Sequence, residues 1–352
     1  MKTIRTHAVS RSLICAPTLA DAIARLGFVQ ADPIRSPARA QDLILRHRVT
    51  SYKAGDLDLH YPSLNIEEDY FGNYGFLSRD VWRLLHPRSA APLSKVDRKV
   101  MDAVKGLGPV HPKDLEATLG KARVVNAWGG FSHATKQSLE RLHFQGILRV
   151  ARREKGIRVY EAIPPVAVEC SPTERLERLL MVIAEQLAPV PEKTLSGIGA
   201  ILRRRMAKAP EQRKVMRSLV DTGRLERQVF EGIAYLWPSV LDRFEPHAGV
   251  RFLAPFDPIV WDRARFQHLW GWEYRFEAYV PPAKRIRGYY ALPLLWLDEV
   301  VGWVNASVST QRKLELEFGF VNRKPTSRMF RQELDAEVAR FEEFLDLGRK
   351  VD

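Results

Sequence analysis

The chain is poor in cysteine and has no long apolar run, and each shortage removes a class of protein. Two cysteines in 352 residues, Cys15 and Cys170, are too few for a disulfide framework, and neither lies in a Cys-x-x-Cys pair. Both are expected to behave as small buried apolar residues. The longest apolar stretches, Leu179 to Ile183 and Tyr290 to Leu297, fall well short of the roughly 20 residues that span a bilayer. The segment from Met1 to Ala20 lacks the apolar core and small-residue cleavage site of a secretory signal, so a cytoplasmic, nucleoid-associated protein is expected. Nine scattered histidines contain no H-E-x-x-H, and neither a metal site nor a cofactor is predicted. Walker, G-x-G-x-x-G and G-x-S-x-G motifs are also missing, which leaves ATP hydrolysis, dinucleotide redox chemistry and α/β-hydrolase chemistry without their residues.

What is present is an ordinary globular composition with a strong cationic excess. Hydrophobic residues make up 45% and charged residues 28%, so the whole chain is expected to fold. Its length allows two or three domains with separate cores. The formal charge of +13 favours a polyanionic partner, because neutralised phosphates release counterions.

The middle of the chain reads as a repeated unit. After Ser94, the spacing of Val96, Val100, Val104 and Leu107 predicts a helix stopped by Gly106 and Gly108. Pro112 opens a second helix running to Gly120, and a third spans about His133 to Gln145. Gly146 ends it, and two alternating stretches around Glu154-Lys155-Gly156 predict a basic hairpin from Ile147 to Tyr160. The order recurs from the capping box Ser171-Pro172-Thr173-Glu174. Helices near Leu195 to Met206 and Pro210 to Thr222 follow, then a hairpin from Leu225 to Trp237. Leu139, Leu142 and Gly146 match Met216, Leu219 and Gly223 in spacing. Three helices and a hairpin make a winged helix.

The flanks differ. Before Pro92 the sequence predicts a helix from Leu19 to Leu26, a second capped by Ser36 with Pro37 in its first turn, and an aromatic segment from Asp69 to Phe76. From Gly249, segments Tyr274 to Val280, Tyr289 to Leu297 and Glu299 to Ser307 read as antiparallel strands. A terminal helix with Phe330, Leu334, Val338, Phe341 and Leu345 on one face closes them. The fold class expected is α+β: tandem winged-helix domains followed by a C-terminal β-rich domain with a closing helix. The domain boundaries expected are 1–92, winged-helix-like and carrying the candidate catalytic loop, then 93–168 and 169–245, both winged helices, and 246–352.

Charge is concentrated where such modules meet DNA. Between Ile201 and Arg217 lie Arg203, Arg204, Arg205, Lys208, Arg213, Lys214 and Arg217 against the single acid Glu211. The first hairpin carries Arg149, Arg152, Arg153, Lys155 and Arg158 against Glu154. Recognition helices and wings contact grooves and phosphates. Of these, Arg152, Arg153, Lys155, Arg203, Arg204, Arg205, Lys208, Arg213 and Lys214, with Lys136, Arg35, Arg39, Lys284 and Arg285 elsewhere, are the DNA-binding candidates. The partner expected is double-stranded DNA, bound by a monomer.

Two stretches carry a family resemblance. Leu26-Gly27-Phe28-Val29-Gln30-Ala31-Asp32-Pro33-Ile34 resembles the Gln-x-Gln or Gln-x-Asp motif of the AlkZ/YcaQ family of DNA glycosylases, in its Gln-x-Asp form. Leu253-Ala254-Pro255-Phe256-Asp257-Pro258 through Trp261-Asp262-Arg263, and the segments Tyr274 to Tyr279, Tyr290 to Trp296 and Val301-Gly302-Trp303, are similar to the YcaQ-like branch. The resemblance implies winged helices and a β-domain around DNA, with excision of alkylated bases or unhooking of interstrand crosslinks. One departure is Asp69 to Phe76, where related chains carry a Trp-Ala-His-type segment.

With that resemblance, Asp32 is the candidate catalytic residue. Cleaving an N-glycosidic bond builds positive charge on the sugar, which a carboxylate stabilises while it activates water. Gln30 shares a face with Asp32 if the loop is extended, and Pro33 biases Asp32 towards that conformation. Read without the resemblance, Asp32 caps a turn before Pro33. Asp257 and Asp262 read as turn-making, salt-bridged residues. The rival function is a non-catalytic winged-helix transcription regulator that dimerises on a palindrome. An RNA-binding factor lacks the aromatic pairs or G-x-x-G loop it would need.

Overall fold

The computed structural model describes residues 2–89, 91–120, 123–125, 131–167, 169–239 and 247–347. The chain forms two compact units. One comprises Met1–Leu57, Met181–Leu195 and Ser218–Asp352; the other comprises Asp58–Leu180 and Ser196–Arg217. Helices and antiparallel sheets alternate throughout, an α+β fold. Among the described residues no helix is long and apolar enough to cross a membrane.

In the first unit, strands Val250–Phe252, Leu292–Trp296, Glu299–Val308 and Leu314–Phe320 pair in that order as an antiparallel sheet. Alternation along Glu299–Val308 buries Val300, Val304 and Ala306 on one face, as a period of two requires. Helix Arg263–Trp270 contributes Phe266, Leu269 and Trp270 to the same core as Trp272, Tyr274, Tyr235 and Trp237. Helix Lys2–Ser12 inserts Ile4, Ala8 and Val9 into it.

The closing helix, Arg328–Phe344, buries Phe330, Phe341 and Phe344. Its other buried residue is Glu337, fully enclosed, whose Oε1 accepts from the Phe252 amide at 2.9 Å and from Arg46, and whose Oε2 accepts from Arg340 Nε at 3.1 Å. A charge on the packed face is stable here because each oxygen is bonded.

In the second unit, strands Ile66–Tyr70 and Tyr74–Ser78 form a hairpin in which Ile66 faces Ser78. Asp69, buried on this hairpin, accepts from Trp82 Nε1 at 2.9 Å, His86 Nε2 at 2.8 Å and Arg88 Nη1 at 2.8 Å. Burial alone would raise its pKa, but the His86 hydrogen bond and the Arg88 charge outweigh it and hold the carboxyl well below the usual range. The segment from Asp69 to Phe76 thus lies in a packed hairpin. Helix Lys95–Leu107 begins at the Ser94/Asp97 capping box, and Asp97 also accepts from Ser138 Oγ and Arg141 Nη1, both at 2.8 Å, on helix Ala134–Phe144. Strands Leu148–Glu154 and Ile157–Ala162 complete this run, with Pro112–Leu119 between the two helices.

The later elements lie close to their expected places: helices Pro172–Gln186, Glu192–Arg205 and Gln212–Asp221, then strands Leu225–Phe230 and Ile233–Pro238. Gly146 and Gly223 both end a helix at positive φ, +72° and +69°, and the next residues, Ile147 and Arg224, donate to Leu142 and Leu219 at 3.0 and 2.9 Å. Glycine is used here because the left-handed conformation strains other residues.

Three expectations are corrected. The helix expected after Ser36 begins at Ala40, capped by the extended backbone of Arg39; the Ser36 amide is spent on a tight turn to the Ala38 carbonyl at 3.2 Å. Tyr274 to Val280 is a loop rather than a strand: the chain turns after Glu277, whose carbonyl accepts from the Val280 amide at 3.0 Å, while its side chain takes the amides of Ile286, Arg287 and Gly288 across the loop. The cysteines are not both buried: Cys15 is exposed, with Sγ 3.8 Å from the His47 carbonyl, and Cys170 is half-buried.

The first unit is fastened by a buried ion pair. Arg48 gives Nη1 to Asp257 Oδ2 at 2.7 Å and Nη2 to Asp257 Oδ1 at 3.1 Å, and its remaining donors reach the carbonyls of Ser12 and Ile44 and the Ser12 hydroxyl. Arg48→Leu leaves Asp257 buried without a counter-charge and is expected to lose about 3–5 kcal/mol of stability. Urea unfolding checks this, and Arg48→Leu combined with Asp257→Leu should recover much of the loss.

Candidate functional site

The Gln30 to Asp32 loop is built from both ends. Helix Leu19–Leu26 starts at Thr18, whose hydroxyl accepts from the Asp21 amide, and stops at Gly27, φ +69°. A Cβ at Gly27 would lie 2.4 Å from Val182 Cγ1, so only glycine permits this approach. The Gln186 side-chain amide donates to the Phe28 carbonyl. The chain then runs extended through Val29–Gln30. On the far side, the Asp32 amide donates to Oε1 of Gln41 at 3.3 Å; Gln41 is buried within helix Ala40–Leu45, all six residues of which are buried.

Asp32 itself is half-buried. Its Oδ1 accepts from the Ile34 amide at 2.9 Å, closing the turn across Pro33. Burial raises its pKa, and the Ile34 hydrogen bond offsets part of that rise. The turn-capping reading and the catalytic reading therefore describe one side chain, with one oxygen committed locally.

Gln30 is gripped by a residue 231 positions away: Trp261 Nε1 donates to Gln30 Oε1 at 2.9 Å. Trp261 is aimed by Asp257, whose carbonyl accepts from the amides of Val260 and Trp261, both at 2.8 Å, and whose Oδ1 accepts from Ile259 at 3.0 Å. Asp262 then caps helix Arg263–Trp270 through the Arg265 amide at 3.0 Å and accepts from Thr194. Both aspartates are thus turn and cap residues with internal partners.

A phenol completes the surroundings. Arg263 lies 4.5 Å over the Tyr274 ring, and the Tyr274 hydroxyl donates to the Ala291 carbonyl at 2.7 Å, next to Tyr290. The Tyr290 ring packs edge-on against Phe276 at 5.3 Å, and its buried hydroxyl has no hydrogen-bond partner among the described residues. Burial pushes this phenol well above its usual pKa, and the nearby Asp32 carboxylate acts in the same direction.

Trp261, Gln41 and Tyr290 went unassigned in the sequence. Trp261 alone carries a usable signal there, since a partly buried indole N–H needs an acceptor.

The match to known families spans nearly all of these elements. The model of the family described as DNA glycosylase AlkZ-like matches residues 23–344. The chain belongs to that family. As an AlkZ-like chain it acts within a family of DNA glycosylases, which agrees with the resemblance read from Gln30 to Asp32 and from Leu253 to Trp303.

The basic candidates fall into two groups. Lys136, Lys155, Arg203, Arg204, Lys208, Arg213 and Lys214 are exposed on the second unit. Arg205 donates to the carbonyls of Tyr70 and Phe71, Arg153 pairs with buried Glu68 at 2.5 Å, and Arg152 pairs with its neighbour Glu154 at 2.6 Å. In the first unit Arg35 and Lys284 are exposed, Arg39 is half-buried, and Arg285 donates to the Val280 carbonyl at 2.8 Å. Among the described residues no group of three or more His, Cys, Asp or Glu could hold a metal.

The raised pKa of Asp32 has a stability consequence. A carboxyl whose pKa is raised by folding favours the folded state at low pH, and that contribution is lost as pH rises through the folded-state pKa. Above that pKa the ionised Asp32 therefore opposes folding. Asp32→Asn, which keeps an oxygen for the Ile34 amide, should melt at the wild-type temperature or above it at pH 7, with the gap closing in acid. Thermal melts across pH check this; a drop of several degrees at pH 7 would make Asp32 a structural cap.

Proposed function

We propose that this chain is a DNA repair glycosylase of the Gln-x-Asp type that hydrolyses the N-glycosidic bond of alkylated purines or interstrand crosslinks in duplex DNA. The observation that carries the reading is the placement of Gln30, held by Trp261, and half-buried Asp32 two residues apart on one braced loop, within a chain matched by the AlkZ-like model.

In this mechanism the bond from the sugar C1′ to the base nitrogen breaks, and its electron pair leaves with the base. An N7-alkylated purine is cationic, so it departs neutral and needs little help from an acid. Full extrusion of the base is correspondingly less necessary than for a normal base. Charge on the sugar is stabilised by the Asp32 carboxylate, which takes a proton from water as its oxygen attacks C1′. Trp261 holds the Gln30 amide through its oxygen, and Gln30 is read as orienting the attacking water or the sugar. A raised pKa makes the Asp32 carboxylate a stronger proton acceptor than a free one.

The surrounding architecture fits this reading. We read residues 93–168 and 169–245 as winged helices, 1–92 as a diverged third copy, and 246–352 as the β-rich domain. The exposed cations Lys136, Lys155, Arg203, Arg204, Lys208, Arg213 and Lys214 are read as phosphate contacts of a monomer on duplex DNA.

The test is single-turnover base release from duplexes carrying N7-methylguanine or a nitrogen-mustard crosslink. Wild type should release base, Asp32→Asn should lose about 10²–10⁴-fold with equal DNA binding, and Trp261→Phe should lose roughly tenfold by removing the indole N–H that holds Gln30 Oε1. The acid limb of the wild-type rate should lie above the ordinary carboxylate pKa, because only the ionised form accepts the proton. Tight, salt-dependent binding without release by wild type would instead support a regulator.

A further inference from the structure

The loop that leads into Tyr290 presents apolar side chains to solvent on a stiff frame. Glu277 is buried, and its carboxylate accepts from the amides of Ile286, Arg287 and Gly288, with Oε2 at 3.0, 2.7 and 3.2 Å. Those bonds hold its pKa down, although burial alone would raise it. The Val280 amide returns to the Glu277 carbonyl at 3.0 Å, and Arg285 Nε reaches the Val280 carbonyl at 2.8 Å. Arg287 lies over the adjacent rings of Trp272 and Trp303, at 5.0 and 5.7 Å, and its carbonyl accepts from Asn305 at 2.6 Å. Gly288, φ +115°, lies where a Cβ would strike the Asn305 side chain at 2.4 Å.

This frame holds Tyr279 at 80% exposure and Ile286 at 74%, above every other large hydrophobic side chain described. Tyr289, 42% exposed, lies beneath the Arg285 guanidinium at 5.0 Å. Folding gains nothing from apolar groups left in water, so a rigid loop that keeps them there marks a contact surface. Its charge limits the partner. From Glu273 to Tyr289 the cations are Arg275, which pairs with Glu273 at 2.8 Å, Lys284, Arg285 and Arg287, and the other acid, Glu277, is turned into the loop's own amides. A cationic rim around exposed aromatic and aliphatic side chains matches a phosphate backbone enclosing stacked bases.

We propose that Tyr279 and Ile286 pack against the bases of duplex DNA at the damaged step, while Lys284 meets an adjacent phosphate. The proposal rests on duplex DNA being the substrate. It adds to the Gln30 and Asp32 chemistry a surface that would hold a distorted step beside Tyr290, whose phenol feels the Asp32 charge.

Full-length protein is titrated onto duplexes carrying 2-aminopurine beside N7-methylguanine, at several salt concentrations. Wild type should change the 2-aminopurine fluorescence. Tyr279→Ala and Ile286→Ala should each abolish most of that change and weaken binding by roughly 5- to 50-fold at an unchanged salt slope, since stacking releases no counterions. Lys284→Gln should instead lower the slope by about 0.9. Both apolar side chains are exposed, so melting temperatures should not move. Asp32→Asn should keep the full fluorescence change. A Tyr279-dependent signal in a protein that releases no base would uphold this surface while sinking the glycosylase reading. Wild-type signal and affinity in the Tyr279→Ala, Ile286→Ala double variant would overturn it. So would a loss confined to binding of anionic phosphatidylserine vesicles.

Discussion

The Arg48–Asp257 ion pair is the constraint on which the candidate site depends. It is buried, uses both oxygens and both terminal nitrogens, and sits where an unpaired charge would be intolerable. Asp257 is also the hub of the turn that delivers Trp261, and Trp261 is the hydrogen-bond partner that fixes Gln30. The order of dependence runs from a charge in the core, to a turn, to an indole, to the amide beside Asp32. A pair chosen only for stability could be replaced by packed aliphatics; one that also sets the direction of a turn cannot be swapped without moving the site.

Local elements were legible wherever a helix or hairpin carries its own punctuation. Leu19–Leu26, Lys95–Leu107 and Pro112–Leu119 lie within a residue of their expected bounds, because Thr18, Ser94 and Pro112 start them and glycines stop them. The failures share a cause. At Ser36 and at Tyr274 to Val280, backbone groups are satisfied by something sequence periodicity does not encode: a three-residue turn in one case, a turn from the Val280 amide back to the Glu277 carbonyl in the other. The Gln30 and Asp32 motif was visible only through family resemblance, since three residues have no periodicity. Trp261, Gln41 and Tyr290 meet that motif through tertiary contacts that local pattern does not report.

Charge shows a similar split. The excess of basic residues pointed to a polyanion, yet several arginines are absorbed by the fold: Arg46 by Glu337, Arg48 by Asp257, Arg153 by Glu68, Arg205 by backbone carbonyls. Counting cations in a hairpin or helix therefore overstates what is left for phosphates. The solvent-facing set, centred on Arg203, Arg204, Lys208, Arg213 and Lys214, is smaller and more sharply placed than composition suggests.

The reach of Trp261 back to Gln30 also bears on when the site exists. Its parts come from opposite ends of a unit whose chain begins at Met1 and ends at Asp352. During synthesis from the N-terminus, Arg48 and the Gln30 to Asp32 loop emerge about two hundred residues before Asp257 and Trp261. Contacts this distant in sequence form late. A nascent or truncated chain that stops before residue 250 carries Gln30 and Asp32 without the indole that holds Gln30.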